Sequence, residues 1–382
     1  MATKRMMDIP GFSIDRVAAA VGNDPDVLRL ENLDTDVPPP PVAITATQSA
    51  LASRSANSYL PFGGDLRLRT AIAARLQHQT GRPYTVKNIV ITCGATEGML
   101  DVLLATIDPG DEVILTDPTY AGMINRVRLA GGVPKFAPFG ASGKEWRLDL
   151  DALKAAVTEH TRALFLMNPS MPSGAVLNAV EWGAIADICR ERSLWLIYNA
   201  AMERILFDHR EYFHPAALPD MEGRTITIGS VSKEYRMIGW RVGWVVAPED
   251  IISDIHRAHI YNVVTPVGIS QAGALAALQL PPEEIEPAVA EWQRRRDVVL
   301  EQLRGYPVMT AAGGWSLLLD VAELGLDSFA ASSRLLQEGK IAATPMRDWG
   351  PRQGDRHVRL VFSNETVERL SQLRGRIEIA LG

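Results

Sequence analysis

The chain has 382 residues, enough for two lobes that each bury a core. Apolar residues make up 47% and charged residues 22%, as in ordinary globular enzymes, and the net charge of −6 argues against nucleic acid or an anionic membrane as the main partner. No apolar run is long enough to cross a bilayer. Two cysteines cannot build a disulfide framework or a zinc site alone, so we expect a reduced, cytoplasmic protein without a metal site.

The middle of the chain alternates short β-branched runs with amphipathic stretches, which predicts crossover units on a largely parallel sheet. Helices are predicted at residues 95–106 and 180–191. Ligands of such sheets bind beyond the carboxyl ends of the strands, where loops and helix N-termini gather. The predicted strands are residues 88–94, 112–117, 163–167, 194–199, 225–230 and 241–247.

The pattern changes after about residue 280, where two prolines precede a long helical stretch, 283–304. Strands predicted at 315–321 and 358–363 indicate a smaller α+β unit. The first 45 residues, with four prolines at 38–41, are predicted to be irregular and to pack onto that unit. The predicted division is therefore a large domain of residues 46–280 and a small domain built from residues 1–45 and 281–382.

The segment SVSKEYRMIGWR, residues 230–241, places Lys233 in a loop at the carboxyl end of a predicted strand. An amine in that position can attack an aldehyde and form a Schiff base. Ser230 and Arg241 flank it and offer a hydroxyl and a guanidinium for a phosphate. These residues alone also permit a solvated lysine in a polar loop.

Ser-x-Ser-Lys followed by Gly-x-Arg resembles the lysine signature of the fold-type I aminotransferases, classes I and II. The resemblance covers about residues 25–365. It implies an α/β fold like that of aspartate aminotransferase, in which a large domain with a mostly parallel sheet is joined to a smaller α+β domain from both termini. It further implies that Lys233 carries pyridoxal 5′-phosphate as a Schiff base and shuttles a proton, while Ser230 and Arg241 bind the phosphate.

Other matching segments follow in the family's order. The turn TCGATE, residues 92–97, joins a strand to a helix, so its N–H groups could hold a phosphate, although a plain tight turn explains it equally well. The resemblance makes Gly94, Ala95 and Thr96 cofactor contacts. It also makes Tyr120, in the segment DPTY, the aromatic ring that stacks on the pyridine. Without that context Tyr120 would be an ordinary half-buried aromatic.

The resemblance extends to the partner subunit and the substrate. Tyr59, in YLPFG, resembles the tyrosine that reaches the phosphate of the neighbouring subunit, which implies a homodimer with shared active sites. Arg359, in VRLVFS, resembles the arginine that binds the substrate α-carboxylate, a role that suits its planar fork; an ion pair with a surface acid is the alternative. Trp315, Met202 and Leu33 are predicted to contribute to an apolar substrate pocket, Leu33 standing where the family has a glycine.

Three expected polar contacts to the cofactor are missing. Met171, in NPSMPSG, replaces an asparagine that hydrogen-bonds the phenolic oxygen, and Met202 replaces a tyrosine that contacts the same oxygen. Asn199 stands where an aspartate pairs with the pyridine nitrogen. A neutral amide can hydrogen-bond but cannot supply the charge that favours the pyridinium and its electron sink. We therefore expect cofactor binding with altered reactivity.

The leading hypothesis is transfer of an amino group between an amino acid and a 2-keto acid, with Lys233 as general base and acid. Because the electron sink is weakened, a second hypothesis is another reaction of the same cofactor, such as elimination, cyclisation, racemisation or oxidation. A third is a binding module that kept the fold without catalysis. The response of the cofactor spectrum to a panel of amino acids separates the three.

Overall fold

The computed structural model describes residues 3–11 and 13–382. The strands are β1 (Leu28–Leu30), β2 (Ile89–Thr92), β3 (Glu112–Asp117), β4 (Val133–Ser142), β5 (Glu145–Leu148), β6 (Thr161–Met167), β7 (Trp195–Asn199), β8 (Thr225–Ser230), β9 (Gly243–Val246), β10 (Ser316–Asp320), β11 (Ile341–Pro345) and β12 (His357–Val361). The helices are α1 (Lys4–Met7), α2 (Ser13–Val21), α3 (Pro41–Leu51), α4 (Leu66–Thr80), α5 (Ala95–Thr106), α6 (Ala121–Leu129), α7 (Leu150–Ala156), α8 (Ala179–Glu191), α9 (Glu249–Val263), α10 (Gly268–Leu278), α11 (Glu286–Gln302), α12 (Ser328–Gln337), α13 (Val367–Leu370) and α14 (Leu373–Leu381).

The larger sheet has eight strands in the order β2-β9-β8-β7-β6-β3-β4-β5. Strands β4, β3, β6, β7 and β8 run parallel, whereas β9 is antiparallel to both β8 and β2, and β5 is antiparallel to β4. Every residue of β2, β3, β8 and β9 is buried. Continuous burial explains why these strands read as apolar runs rather than alternating patterns, because such sheets are covered on both faces. The predicted largely parallel sheet is confirmed.

Strands β2, β3, β7 and β8 end at the same edge of this sheet because they point in one direction. Their last residues are Thr92, Asp117, Asn199 and Ser230. Polar residues from distant parts of the chain therefore lie along one edge of the sheet, where α5 also begins. This is the edge at which open α/β sheets bind ligands.

The smaller sheet joins the two ends of the chain in the order β1-β11-β12-β10. Strand β1 lies parallel to β11, so the expected packing of the first 45 residues onto the C-terminal unit is confirmed at this strand. The predicted irregular conformation of those residues is wrong, since they include α2, β1 and the start of α3. The last of the four prolines, Pro41, begins α3, because proline suits the first helical position, where its missing N–H would have no partner.

The remaining predicted strands and helices are present, and most of their ends differ from the predicted ends by one to three residues. The strands at 112–117 and 225–230 and the helix at 95–106 match β3, β8 and α5 at both ends. The long stretch predicted at 283–304 is divided into a 3-10 turn, Pro282–Ile285, and α11. None of the helices within the described ranges is long and apolar enough to span a membrane. The domain boundaries near residues 45 and 280 stay a prediction.

Candidate active site

A cavity of about 290 Å³ lies at the carboxyl edge of the larger sheet. Larger surface grooves, such as one of about 630 Å³ along α11, contain none of the predicted site residues. Gly94, Tyr59 and Trp315 are predicted site residues that do not line the cavity. The predicted residues that do line it are Leu33, Ala95, Thr96, Tyr120, Met171, Asn199, Ser230, Lys233, Arg241 and Arg359.

Lys233 is partly buried in this cavity, which argues against a freely solvated lysine. Its Nζ donates a hydrogen bond to the backbone carbonyl of Leu33 at 2.7 Å, and it lies 4.9 Å from the centre of the Trp315 ring. Trp315 therefore lies beside the lysine amine, although it does not line the cavity.

The protonation of Lys233 is altered by its surroundings. Burial lowers the pKa of Lys233 to about 7; the charge of Asp34 opposes this, and the guanidinium groups of Arg359 and Arg241 lower the pKa further. A much larger fraction of this amine is unprotonated at neutral pH than for a solvated lysine, whose pKa is about 10.4. The unprotonated amine is the form that attacks an aldehyde.

Groups whose chemistry suits an anion lie beside the lysine. Arg241 is exposed, and its two terminal nitrogens lie 3.4 Å from Thr96 Oγ1 and 3.5 Å from Ser232 Oγ. The Oγ of Ser230 accepts a hydrogen bond from the Ser232 N–H at 3.2 Å. Within the described residues, no carboxylate lies within 4 Å of the Arg241 guanidinium. Its charge, together with three hydroxyl groups, is therefore available to a phosphate.

The N-terminus of α5 completes this group. Gly94 precedes the helix with φ of 76°, a backbone conformation that favours glycine, and no side chain caps the helix start. A Cβ on Gly94 would collide with the Arg241 guanidinium. The N–H groups of Ala95 and Thr96 therefore remain available to an anion, with the positive end of the helix dipole behind them. Gly94 itself makes room for Arg241 and does not line the cavity.

Arg359 lies fully buried in β12. It donates to the backbone carbonyl of Glu31 and, at 3.2 Å, to Thr344 Oγ1, while its Nε has no hydrogen-bond partner. No carboxylate of the described chain lies within 4 Å of it, so the alternative of a surface ion pair is wrong. Burial lowers the pKa of Arg359 to about 10. A buried guanidinium without a counterion is stabilised by an incoming carboxylate.

Asn199 ends β7 and is buried at the base of the cavity. Its Oδ1 accepts a hydrogen bond from the Ala201 N–H at 3.1 Å. An N–H can only donate, so this bond assigns the amide orientation and leaves Nδ2 as the free donor toward the cavity. Met171 contacts Arg359 through its sulfur at 3.6 Å from Nη1, whereas Met202 is buried outside the cavity lining.

Tyr120 and Tyr59 occupy very different positions. Tyr120 lines the cavity, with its ring 5.8 Å from the Trp349 ring in an edge-to-face arrangement. Tyr59 is 80% exposed and lies outside the cavity of its own chain. Ser232 and Thr344 contact site residues but were not predicted from the sequence. Ser232 lies inside the Ser-x-Ser-Lys segment and could have been identified there, but no local pattern marks Thr344.

Comparison with known proteins assigns the family. The family model for aminotransferase class I and II matches residues 25–377. The arginine–pyruvate transaminase AruH of Pseudomonas aeruginosa is 31% identical over 360 residues, which cover 90% of this chain and 88% of that protein. An aspartate aminotransferase of Pyrococcus abyssi is also 31% identical, over 383 residues that cover 99% of this chain and 95% of the relative.

A solved structure agrees with these relatives. The N-succinyldiaminopimelate aminotransferase from Mycobacterium tuberculosis superposes with a TM-score of 0.93 and 29% identity, covering 100% of both chains. The expected aspartate-aminotransferase-like fold is thereby confirmed. With a family match over most of its length and relatives above 30% identity, the chain belongs to the class I and II aminotransferases and is itself an aminotransferase.

Proposed function

We propose that this aminotransferase binds pyridoxal 5′-phosphate through Lys233 and exchanges amino groups between an amino acid and a 2-keto acid. One observation carries the proposal: Lys233, Arg241 and Arg359 converge on one cavity, and none of them has a carboxylate partner within 4 Å in the described residues. When bound, the cofactor supplies an aldehyde that captures amines and a ring that withdraws electrons, more strongly when its nitrogen is protonated.

The cavity's groups fit the charges of this cofactor. Thr96, Ser230 and Arg241, with the N-terminus of α5, suit a phosphate dianion. Arg359 suits the α-carboxylate shared by both substrates, and its bonds to the Glu31 carbonyl and Thr344 hold the guanidinium in place. A substrate held there is oriented by two parallel N–H groups rather than by a point charge.

Lys233 moves the proton in this proposal. Its Nζ accepts a proton from the substrate α-carbon and returns it during the exchange, as general base and then acid. A pKa of about 7 suits both directions, because the ideal catalytic pKa lies near the working pH. The partial burial of the amine limits competing proton exchange with water.

The rest of the lining indicates the substrate class. It is mainly apolar, and Lys233, Arg241 and Arg359 are the only cations in the described lining. A charged substrate side chain would therefore find no further cationic partner among the described lining residues. We infer that amino acids with apolar side chains are preferred. The larger apolar lining residues are Ile14, Leu33, Met99, Met167, Met171 and Ile238.

We also infer a homodimer in which Tyr59 reaches the partner's site. Tyr59 is 80% and Tyr261 is 90% exposed, and the exposed apolar residues Leu66 and Val267 follow them closely in the sequence. The carbonyl of Phe62 lies 3.0 Å from an imidazole nitrogen of α9, so these segments form one surface. Contiguous exposed apolar side chains of this kind mark interaction surfaces.

The first prediction concerns Lys233. Borohydride reduction of the cofactor-loaded protein followed by peptide mass spectrometry should place the pyridoxyl group on Lys233. Lys233→Ala should remain folded and lose this adduct, while Lys154→Ala, at an exposed position in α7, should keep it. Recovery of the adduct on another lysine would refute the assignment.

The second prediction concerns Arg359. Arg359→Lys keeps the charge but loses the fork, so amino-acid affinity should fall roughly 10- to 100-fold, the equivalent of one charged hydrogen bond. Cofactor affinity should be unchanged, which also shows that the fold survives. Arg374→Lys on the surface is the control, and spectroscopic titration with amino acids is the measurement. Normal amino-acid affinity in Arg359→Lys would contradict docking at Arg359.

The third prediction concerns Asn199. Its free Nδ2 donor suits a ring nitrogen that carries no proton. Asn199→Asp would offer an acceptor with a negative charge and raise the pKa of that nitrogen by roughly 1–3 units, each worth about 1.4 kcal/mol. Single-turnover removal of the α-proton should then accelerate about tenfold or more.

The measurement compares α-protonated and α-deuterated amino acid at matched saturation. Asn23→Asp, which adds the same charge at an exposed position that does not line the cavity, is the control and should leave the deuterium-sensitive rate unaltered. If Asn199→Asp retains the cofactor but is no faster than the parent protein, Asn199 does not limit the reaction.

The fourth prediction concerns the dimer. Analytical ultracentrifugation should give the mass of two chains at micromolar concentration. Tyr261→Glu should shift the protein toward monomer, because it buries a charge in the proposed interface. Val180→Glu, at a 71% exposed position on α8, should remain dimeric. A monomeric parent protein would rule out a site shared through Tyr59.

A further inference from the structure

A second polar cluster, formed by Glu97, Asp101 and His259, lies behind the anion-binding end of α5. Glu97 and Asp101 are one helical turn apart on α5, so their side chains share a face, and His259 reaches them from α9. Asp101 and His259 are fully buried and the Glu97 side chain is 7% exposed. One ligand atom from each residue lies within 4.8 Å of the other two. The proposed reaction uses none of these groups.

The hydrogen bond of His259 to the backbone assigns its tautomer. Nε2 lies 3.0 Å from the carbonyl oxygen of Phe62, which can only accept, so Nε2 carries the proton. Nδ1 is hydrogen-bonded to Glu97 Oε1 at 2.7 Å and lies 3.9 Å from Asp101 Oδ2. A proton therefore lies between Nδ1 and Glu97 Oε1, and a metal ion that binds here would replace it. Metal-binding histidines are commonly oriented in this way, with the second nitrogen donating to a carbonyl.

Each of the two carboxylates accepts, through one of its oxygens, a hydrogen bond from a residue outside the cluster. Glu97 Oε2 accepts from the Cys93 N–H at 2.5 Å, and Asp101 Oδ1 accepts from Asn262 Nδ2 at 3.3 Å. The second oxygen of each points inward. Asp101 Oδ2 is fully buried and has no hydrogen-bond partner, although leaving such an atom unsatisfied is costly. Each of the three side chains is thus oriented by one hydrogen bond to a residue outside the cluster, and each has one possible ligand atom that faces the other two side chains.

The charge of the cluster is also unbalanced. No lysine or arginine in the described part of the chain lies within 4 Å of either carboxylate, and the imidazole is their one ionic contact. A divalent cation that replaced the proton between His259 and Glu97 would neutralise two ionised carboxylates beside a neutral imidazole.

We propose that Glu97, Asp101 and His259 bind one divalent transition-metal ion. One imidazole nitrogen and two carboxylate oxygens suit Zn²⁺ or Mn²⁺, with water in a further position. Bonds of about 2.1 Å in tetrahedral geometry separate ligand atoms by about 3.4 Å. Glu97 Oε1 must therefore withdraw from Nδ1 on binding, a small rotation of a flexible side chain, whereas the 3.9 Å gap to Asp101 narrows.

The ion would join three segments. Glu97 and Asp101 belong to α5, His259 belongs to α9, and the imidazole is tied to the segment that contains Phe62. It would thus stabilise the helix whose first N–H groups face the cavity. No metal site was predicted from the sequence. Glu97 and Asp101 lie close together in the sequence, but His259 follows 158 residues after Asp101, so no local motif joins the three residues.

The test uses the purified cofactor-loaded protein after treatment with a chelator. Titration with ZnCl₂ and MnCl₂, followed by calorimetry and elemental analysis, should give one ion per chain. Saturation should raise the melting temperature by about 3 °C, the size expected for a chain of this length when ligand is present at 100 times its dissociation constant. Anomalous diffraction at the zinc edge should place the ion between the three side chains.

Variants distinguish this site from other metal ligands. Asp101→Asn removes one charge and should weaken binding roughly 100-fold, and Asn262→Ala, which removes an outer hydrogen bond, should weaken it about 10-fold. Asp250→Asn, an exposed acid on α9, should bind as the parent does. The proposal is overturned if the parent binds neither ion stoichiometrically, or if Asp101→Asn and His259→Gln bind with unchanged affinity.

Discussion

Uncompensated positive charge is the constraint on which the site depends. Lys233, Arg241 and Arg359 face one cavity, and none has a carboxylate within 4 Å among the described residues. Burial and mutual repulsion lower the pKa of Lys233 to about 7. A bound phosphate and a bound carboxylate would relieve this repulsion. The arrangement that keeps the amine unprotonated therefore also favours the binding of two anionic groups.

The scaffold maintains this arrangement by tying the two sheets together around the cavity. The Asp117 carboxylate, at the end of β3, accepts hydrogen bonds from the N–H groups of Arg352 and Gln353 at 2.8 and 3.2 Å. Ser316, in β10, donates to the carbonyl of Pro172 at 2.9 Å. These bonds join the carboxyl edge of the larger sheet to the smaller sheet that carries Arg359. Side chains from both parts of the molecule, including Arg241 and Arg359, thereby line one cavity.

The departures from the family pattern have different physical meanings. Met171 contacts Arg359, so it provides an apolar, polarisable neighbour for a buried guanidinium. Met202 lies outside the cavity lining. Asn199 keeps its position but, with its oxygen bonded to the Ala201 N–H, it presents a donor. The change at Met171 therefore affects packing around Arg359, whereas Asn199 offers a donor where the family has a carboxylate.

Sequence alone determined the elements and the groups that lie close together along the chain. Residues 112–117, 225–230 and 95–106 form the predicted strands and helix, because apolar runs and turn residues act locally. Lys233 and Arg241 share one loop, so their proximity could be predicted. Only the tertiary structure decided the burial of Arg359 against the Glu31 carbonyl, the donor orientation of Asn199 and the meeting of His259 with Glu97. These features depend on partners from separate elements or on how a side chain is oriented by packing, which local patterns do not encode.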